Sequence, residues 1–120
     1  MSSIYQDIIL DHYRNPRNHG HLNNPTRRTD INNPVCGDML SFEIREENGV
    51  VKEIAFTGTG CAISQASASM VTEFVKGKTN DEIKKLDKNT VLEMLGIELS
   101  PNRIKCALLS LEALHKLLEQ

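Results

Sequence analysis

At 120 residues and 13.5 kDa, with a net charge of -2 and 25% charged residues, the chain has the size of one domain and no charge excess to draw it to nucleic acid or an acidic membrane. A chain this long hides roughly two-thirds of its unfolded surface, so neither disulfide nor metal is needed merely to build a core. No basic segment followed by an apolar run opens the sequence, and no stretch reaches the ~20 apolar residues of a membrane span, which predicts a cytoplasmic protein with reduced thiols.

Ile4, Ile8, Ile9 and Tyr13 recur near helical spacing after Ser3, a candidate N-cap, and predict a short amphipathic helix over 4–13. It ends near Asn15, because Pro16 disfavours helical dihedrals in the residue before it. From there to Pro34 the chain is polar and reads as a loop with one short edge strand around Arg28–Ile31. Arg14, Arg17, Arg27 and Arg28 gather in this region, but Asp11 and Asp30 interleave with them, as in a solvated, protein-binding loop.

Leu40, Phe42 and Ile44 alternate with polar residues, the period of a strand with one buried face. Asn48-Gly49 suits a type I′ turn, and a second strand runs from Val50 to about Thr57. An Ala/Ser-rich helix follows over 62–76, with Ile63, Ala66, Met70 and Phe74 at helical spacing and Gly77 at its end. Its many small side chains imply close packing on a neighbour. Thr79–Glu82 and Thr90–Glu93 both read as capping boxes that open short helices. The last helix takes Ser100 as N-cap and Pro101 at its first position, with an apolar stripe of Ile104, Leu108, Leu111, Leu114 and Leu118. The expected class is α+β: a small antiparallel meander of about three strands packed on a layer of helices, preceded by an N-terminal helix, as a single domain over 1–120.

The residues with chemical potential are three cysteines and one aspartate. In Cys36-Gly37-Asp38, glycine between a thiol and a carboxylate lets the backbone turn sharply enough for the two to converge. A loop cysteine beside a turn aspartate would fit the same pattern. Cys61 follows Gly58-Thr59-Gly60 and opens the Ala/Ser-rich helix, where free amides and the macrodipole favour the thiolate. The bland reading there is a small buried residue after strand-ending glycines. Cys106 lies roughly 160° around the last helix from both Ile104 and Leu108 at 100° per residue, off the apolar stripe and beside Arg103 and Lys105. Cations there would favour its thiolate and attract a sulfur-bearing anion. A cysteine in a second helix–helix contact is the alternative.

Together these residues offer four ligands, enough for tetrahedral zinc or for anchoring a [2Fe–2S] cluster. Their separations of 2, 23 and 45 residues are not those of a zinc knuckle, so only a fold could assemble them. There is no Cys-x-x-Cys redox motif. Gly77-Lys78-Thr79 lacks the leading glycine of a P-loop and follows a helix rather than preceding one. His19 and His21 lie in a polar loop, His115 is half a turn out of phase with Cys106, and His12 has no evident role.

The order Asn15-Pro16-Arg17-Asn18, then Cys36-Gly37-Asp38, then Gly60-Cys61 with its Ala/Ser-rich helix, then Lys105-Cys106 resembles the U-type iron–sulfur scaffolds: IscU, SufU and the N-terminal domain of NifU. The resemblance runs over essentially the whole chain. It implies that the three cysteines and Asp38 meet near one exposed end of an α+β fold. It further implies that a pyridoxal-phosphate cysteine desulfurase delivers persulfide sulfur, with Cys106 as acceptor and Arg103 and Lys105 beside it. A transient [2Fe–2S] cluster, or zinc in the SufU branch, would bind among Cys36, Asp38, Cys61 and Cys106. Recipient apoproteins are the other expected partners, and the chain would act as a monomer or weak oligomer, a scaffold and sulfur carrier more than an enzyme.

Two departures separate this chain from its nearest types. Lys105 stands where IscU-type members carry histidine, and Leu99-Ser100-Pro101-Asn102-Arg103 replaces their Leu-Pro-Pro-Val-Lys chaperone motif. The Arg103-Ile104-Lys105-Cys106 string is similar to SufU, without the insertion of about twenty residues typical of SufU, a comparison of length only. Three functions compete: a cluster scaffold, a zinc-dependent sulfurtransferase that never builds a cluster, and a zinc-stabilised interaction module without thiol chemistry.

Overall fold

A computed structural model describes residues 4–33 and 37–119. Ser3 and Cys36 lie outside the described residues. The elements are α1 (Ile4–Arg14), β1 (Arg27–Asn33), β2 (Asp38–Glu47), β3 (Val50–Thr59), α2 (Ala62–Val75), α3 (Asn80–Lys84), α4 (Lys88–Leu95) and α5 (Pro101–Leu118). The three strands form an antiparallel meander in the order β1-β2-β3, and the helices cover one face, which is the expected α+β class.

Alternation sets the sheet. Leu40, Phe42 and Ile44 of β2 point inward, opposite Gly58, Phe56 and Ile54 of β3, and all but the glycine belong to the main core with Val71 and Val75 of α2 and Leu114 and Leu117 of α5. Asn48 and Gly49 take φ of 54° and 77°, as the type I′ turn requires. The outer edge of β3 is closed at both ends: Asn18 and Gly20 exchange backbone bonds with Phe56, and Gly77 and Lys78 do so with Val51. At the other edge, Arg27 of β1 donates to the carbonyls of Leu117 and Leu118, and Lys116 Nζ donates to Asp30 O. Unpaired strand edges invite pairing with other chains, so this coverage guards the meander.

The small residues of α2 do bring it close to its neighbour. Ser64, Ala66, Ser67, Ala68 and Ser69 are all buried, and Ser67 Oγ donates to Ala107 O of α5 at 2.7 Å while lying 3.1 Å from Ser110 Oγ. Four expectations need correction. Phe74 is exposed, with the Lys78 ammonium 5.1 Å over its ring, because the buried phase of α2 runs through Val71, Thr72 and Val75. In α1 only Ile9 of the four apolar residues is buried, together with His12, because α1 packs on α2 and the edge of α4 and leaves Ile4, Ile8 and Tyr13 outside. Helix α4 begins three residues early, at Lys88, because Asp87 is the cap: its carboxylate accepts from Thr90 N–H at 2.9 Å. Finally, α5 is buried on more than one stripe, since the sheet, α2, α3 and α4 all pack against it. The Thr79–Glu82 capping box and the Ser100–Pro101 start are both present.

Candidate metal and sulfur site

Strand β2 begins at Asp38, two residues before the alternation is visible in the sequence. Parity therefore puts Asp38 on the same inward face as Leu40, Phe42 and Ile44, and its side chain is 1% exposed. Gly37, at φ 74° with its N–H bonded to Asn33 O, makes the sharp turn that sets up this strand start. At the far end of β3 the chain leaves the sheet through Gly60, and Cys61 becomes the N-cap residue of α2. The two meet: Cys61 N–H donates to Asp38 Oδ1 at 2.9 Å, and the Cys61 thiol lies 3.6 Å from Oδ2. Asp38 thus does for α2 what the Cys61 side chain does not, satisfying an amide at the helix start.

From the third direction comes Cys106, in the second turn of α5. One ligand atom from each of Asp38, Cys61 and Cys106 lies within 4.8 Å of the others, and no histidine joins the group among the described residues. A tetrahedral zinc with metal–sulfur distances of about 2.3 Å requires neighbouring ligand atoms roughly 3.5–3.8 Å apart, so ligand atoms at the outer limit of this set would draw about 1 Å closer to share one ion. Two thiols and a carboxylate, with room in the count for a fourth ligand, fit zinc, and equally fit iron held by thiolates. Cys36, the expected fourth ligand, is the one site residue outside the described set.

The surroundings of Cys106 differ from the expected cationic surface. It is 3% exposed and packs with Ile9, Ile63, Ala66, Leu95 and Ala107 in a second, smaller core where α1, α2, α4 and α5 meet. Its distance from the Ile104–Leu108 stripe is real, but the far side of α5 faces α2, not water. The helix–helix alternative describes its environment, while its sulfur also lies within 4.8 Å of the Asp38 and Cys61 ligand atoms. Arg103 and Lys105 are exposed, and Arg103 borders a shallow apolar hollow formed by Ile9, Leu10, Ala62, Ile63 and Ile97.

A role that the sequence left open is now plain. His12 Nδ1 lies 2.8 Å from Ser69 Oγ, which also accepts from Arg17 N–H at 2.8 Å. The other ring nitrogen, Nε2, faces Glu73 Oε1 at 3.8 Å. Burial, and secondarily the Arg17 charge, holds the His12 pKa below its usual value. Asn18 Nδ2 donates to Thr72 Oγ1 at 3.1 Å. The Asn15-Pro16-Arg17-Asn18 motif is therefore a strap that fixes the loop to α2. His19 stands edge-on to Phe56, and His21 pairs with the buried Glu43 at 2.9 Å, so neither is simply solvated. Nothing in the spacing of these residues announces such partners, since each lies on a different element.

The NifU-like N-terminal domain family matches residues 4–120. The chain belongs to that family. Among the family's curated members, the chain is 36% identical to the zinc-dependent sulfurtransferase SufU of Bacillus subtilis over 133 aligned positions, covering 97% of this chain and 90% of that protein. The alignment is longer than the chain itself, as expected if this family member lacks residues that SufU carries. The iron–sulfur cluster assembly scaffold protein IscU of Aquifex aeolicus is 40% identical, with 96% of this chain and 74% of that protein covered. Its Escherichia coli K12 namesake is 35% identical, at 92% and 88% coverage. The crystal structure assigned to a SUF-system scaffold of Fervidobacterium islandicum AW-1 superposes with a TM-score of 0.82 at 28% identity, covering 96% of both chains. The NifU-like N-terminal protein of Brucella abortus, at 23% identity and TM-score 0.76 (97% and 92% covered), shares the fold.

Proposed function

We propose that this family member is an iron–sulfur cluster assembly scaffold, which accepts sulfur from a pyridoxal-phosphate cysteine desulfurase and holds a labile [2Fe–2S] cluster as cargo for recipient apoproteins. The observation that carries the reading is the convergence of Asp38, Cys61 and Cys106 within 4.8 Å from three separate elements. Cys36 completes the ligand set in this reading. The names of the IscU relatives support it.

Sulfur uptake needs no outside oxidant. A thiolate of the scaffold attacks the terminal sulfur of the desulfurase persulfide; the old S–S bond breaks, a new one forms on the scaffold, and the desulfurase cysteine leaves as thiolate. Cys106 is the proposed acceptor, with exposed Arg103 and Lys105 drawing the anionic persulfide towards it. Cys61 sits nearer the surface and receives the Asp38 carboxylate on both its amide and its thiol, which suits an anchoring ligand.

Lys105, in place of the histidine of IscU-type members, favours a second reading: a sulfurtransferase in which zinc is the resident ion and no cluster is built. Zinc would keep its cysteine ligands as thiolates. The deciding experiment is anaerobic purification with metal analysis and a visible spectrum, before and after ferrous iron, cysteine, a desulfurase and a dithiol reductant, which converts persulfide sulfur to sulfide, are supplied. Two irons per chain and a cluster absorption establish the scaffold. Retained zinc, no visible absorption and desulfurase stimulation that disappears with zinc establish the sulfurtransferase instead. Desulfurase stimulation unchanged by Cys106→Ser would leave only the interaction module.

A further inference from the structure

Gly60 has a φ of 143°, and its Cα faces the buried Asp38 carboxyl group directly. A Cβ placed on it would overlap Asp38 Oδ1 and come within 2.6 Å of Cγ and 2.9 Å of Cβ. All three nearest atoms are those of one side chain, a carboxylate held in place by Cys61 N–H. Gly58, two residues earlier, is different: a Cβ there would meet Met39 O at 2.5 Å and Leu40 Cδ2 at 2.7 Å, so it serves strand packing. Gly20 supplies a natural contrast. Its φ of 132° is nearly that of Gly60, yet a Cβ on it would meet nothing within 4 Å.

We infer that Gly60 is a positioning residue for the metal and sulfur site: the notch left by its missing side chain is the seat of the Asp38 carboxylate. This rests on the reading of Asp38 as a ligand given above. An alanine at 60 evicts the carboxylate from the Cys61 amide, and the site loses the oriented ligand while both thiols stay in place. The glycine before Cys61 therefore makes room for the protein's own aspartate rather than for bulky cargo. Residues that orient metal ligands without touching the metal typically change affinity 10- to 100-fold when altered, and an effect of about that size is expected here.

The test compares wild type, Gly60→Ala, Asp38→Gly, the Gly60→Ala/Asp38→Gly double variant and Gly20→Ala. The first readout, on the metal-free protein, is the chemical shift and hydrogen exchange of the Cys61 amide. The second is zinc affinity by competition with a chromophoric chelator. Gly60→Ala is expected to shift the Cys61 amide and speed its exchange as Asp38→Gly does, and to weaken zinc binding at least about tenfold. The double variant should bind zinc like Asp38→Gly alone, while Gly20→Ala, which bears comparable backbone strain, should match wild type in both readouts. If Gly60→Ala leaves the Cys61 amide unmoved, or weakens zinc equally with and without Asp38, the inference fails. Should Gly60→Ala not fold, folding restored by Asp38→Gly supports it and failure in both backgrounds overturns it. If Asp38→Gly itself binds zinc like wild type, the ligand reading beneath the inference is what fails.

Discussion

Asp38 combines a hard oxygen donor with near-complete burial, and its carboxylate accepts from both the amide and the thiol of Cys61. Iron prefers thiolate over carboxylate in such company, so in the proposed scaffold Asp38 would be the ligand that weakens the grip on a cluster. Asp38→Ala is accordingly expected to lengthen the lifetime of a reconstituted cluster and slow its transfer to an apo-acceptor, followed by loss of visible absorption; unchanged lifetime and transfer would remove this role. His12 makes a pH prediction. Its folded pKa lies below 6.5, mainly through burial, so the unfolded chain takes up the proton first as pH falls. The neutral-ring contribution to stability is therefore complete above 6.5 and declines as pH falls below it towards the lower folded value. Buried Glu43 is held below its usual 4.5, first by its bond with His21, so its contribution is lost only in more acid solution. Chemical denaturation at several pH values should show stability falling below 6.5 in wild type, and a flatter profile above 4.5 in His12→Gln.

At the scale of elements, most boundaries were legible because short-range chemistry fixes them. The Asn48-Gly49 turn, the Thr79–Glu82 box and the Ser100–Pro101 start each depend on residues within one turn of each other. The start of α4 was misplaced because Thr90–Glu93 satisfies the same pattern that Asp87 satisfies better: a carboxylate takes the amide of Thr90 and its hydroxyl as well, at 2.9 Å each. Asp87→Ala should thus lower unfolding free energy by about 1 kcal/mol, and Glu93→Ala by no more than a few tenths, as urea titration would show. Helix faces were less legible. The stripe on α5 was incomplete because a helix packed from several sides has no single apolar line, and α1 was over-read because its apolar residues do not all find a neighbour. The beginning of β2 was hidden for another reason: an ionisable residue at an inward position breaks the alternation that marks a strand.

On the scale of the whole molecule, the site was legible as a list of residues and illegible as a place. Cys61 and Asp38 are 23 positions apart and Cys106 a further 45, and only the register of β2 with β3 and the packing of α2 on α5 bring them together. Burial of Cys106 is a property of that packing, and it has a kinetic consequence. Its sulfur belongs to a small core as well as to the site, so the thiol meets a reagent from solution only when the start of α5 parts from α2 for a moment. Alkylation of Cys106 by iodoacetamide should be slower than that of Cys61 and should accelerate in urea well below the unfolding midpoint, with Cys61 responding little; equal rates without urea would contradict this. Under the proposed function, a desulfurase acting on the same thiol would have two tasks, to open the chain and to hand over the atom, and an agent that loosens the protein slightly would hasten the first.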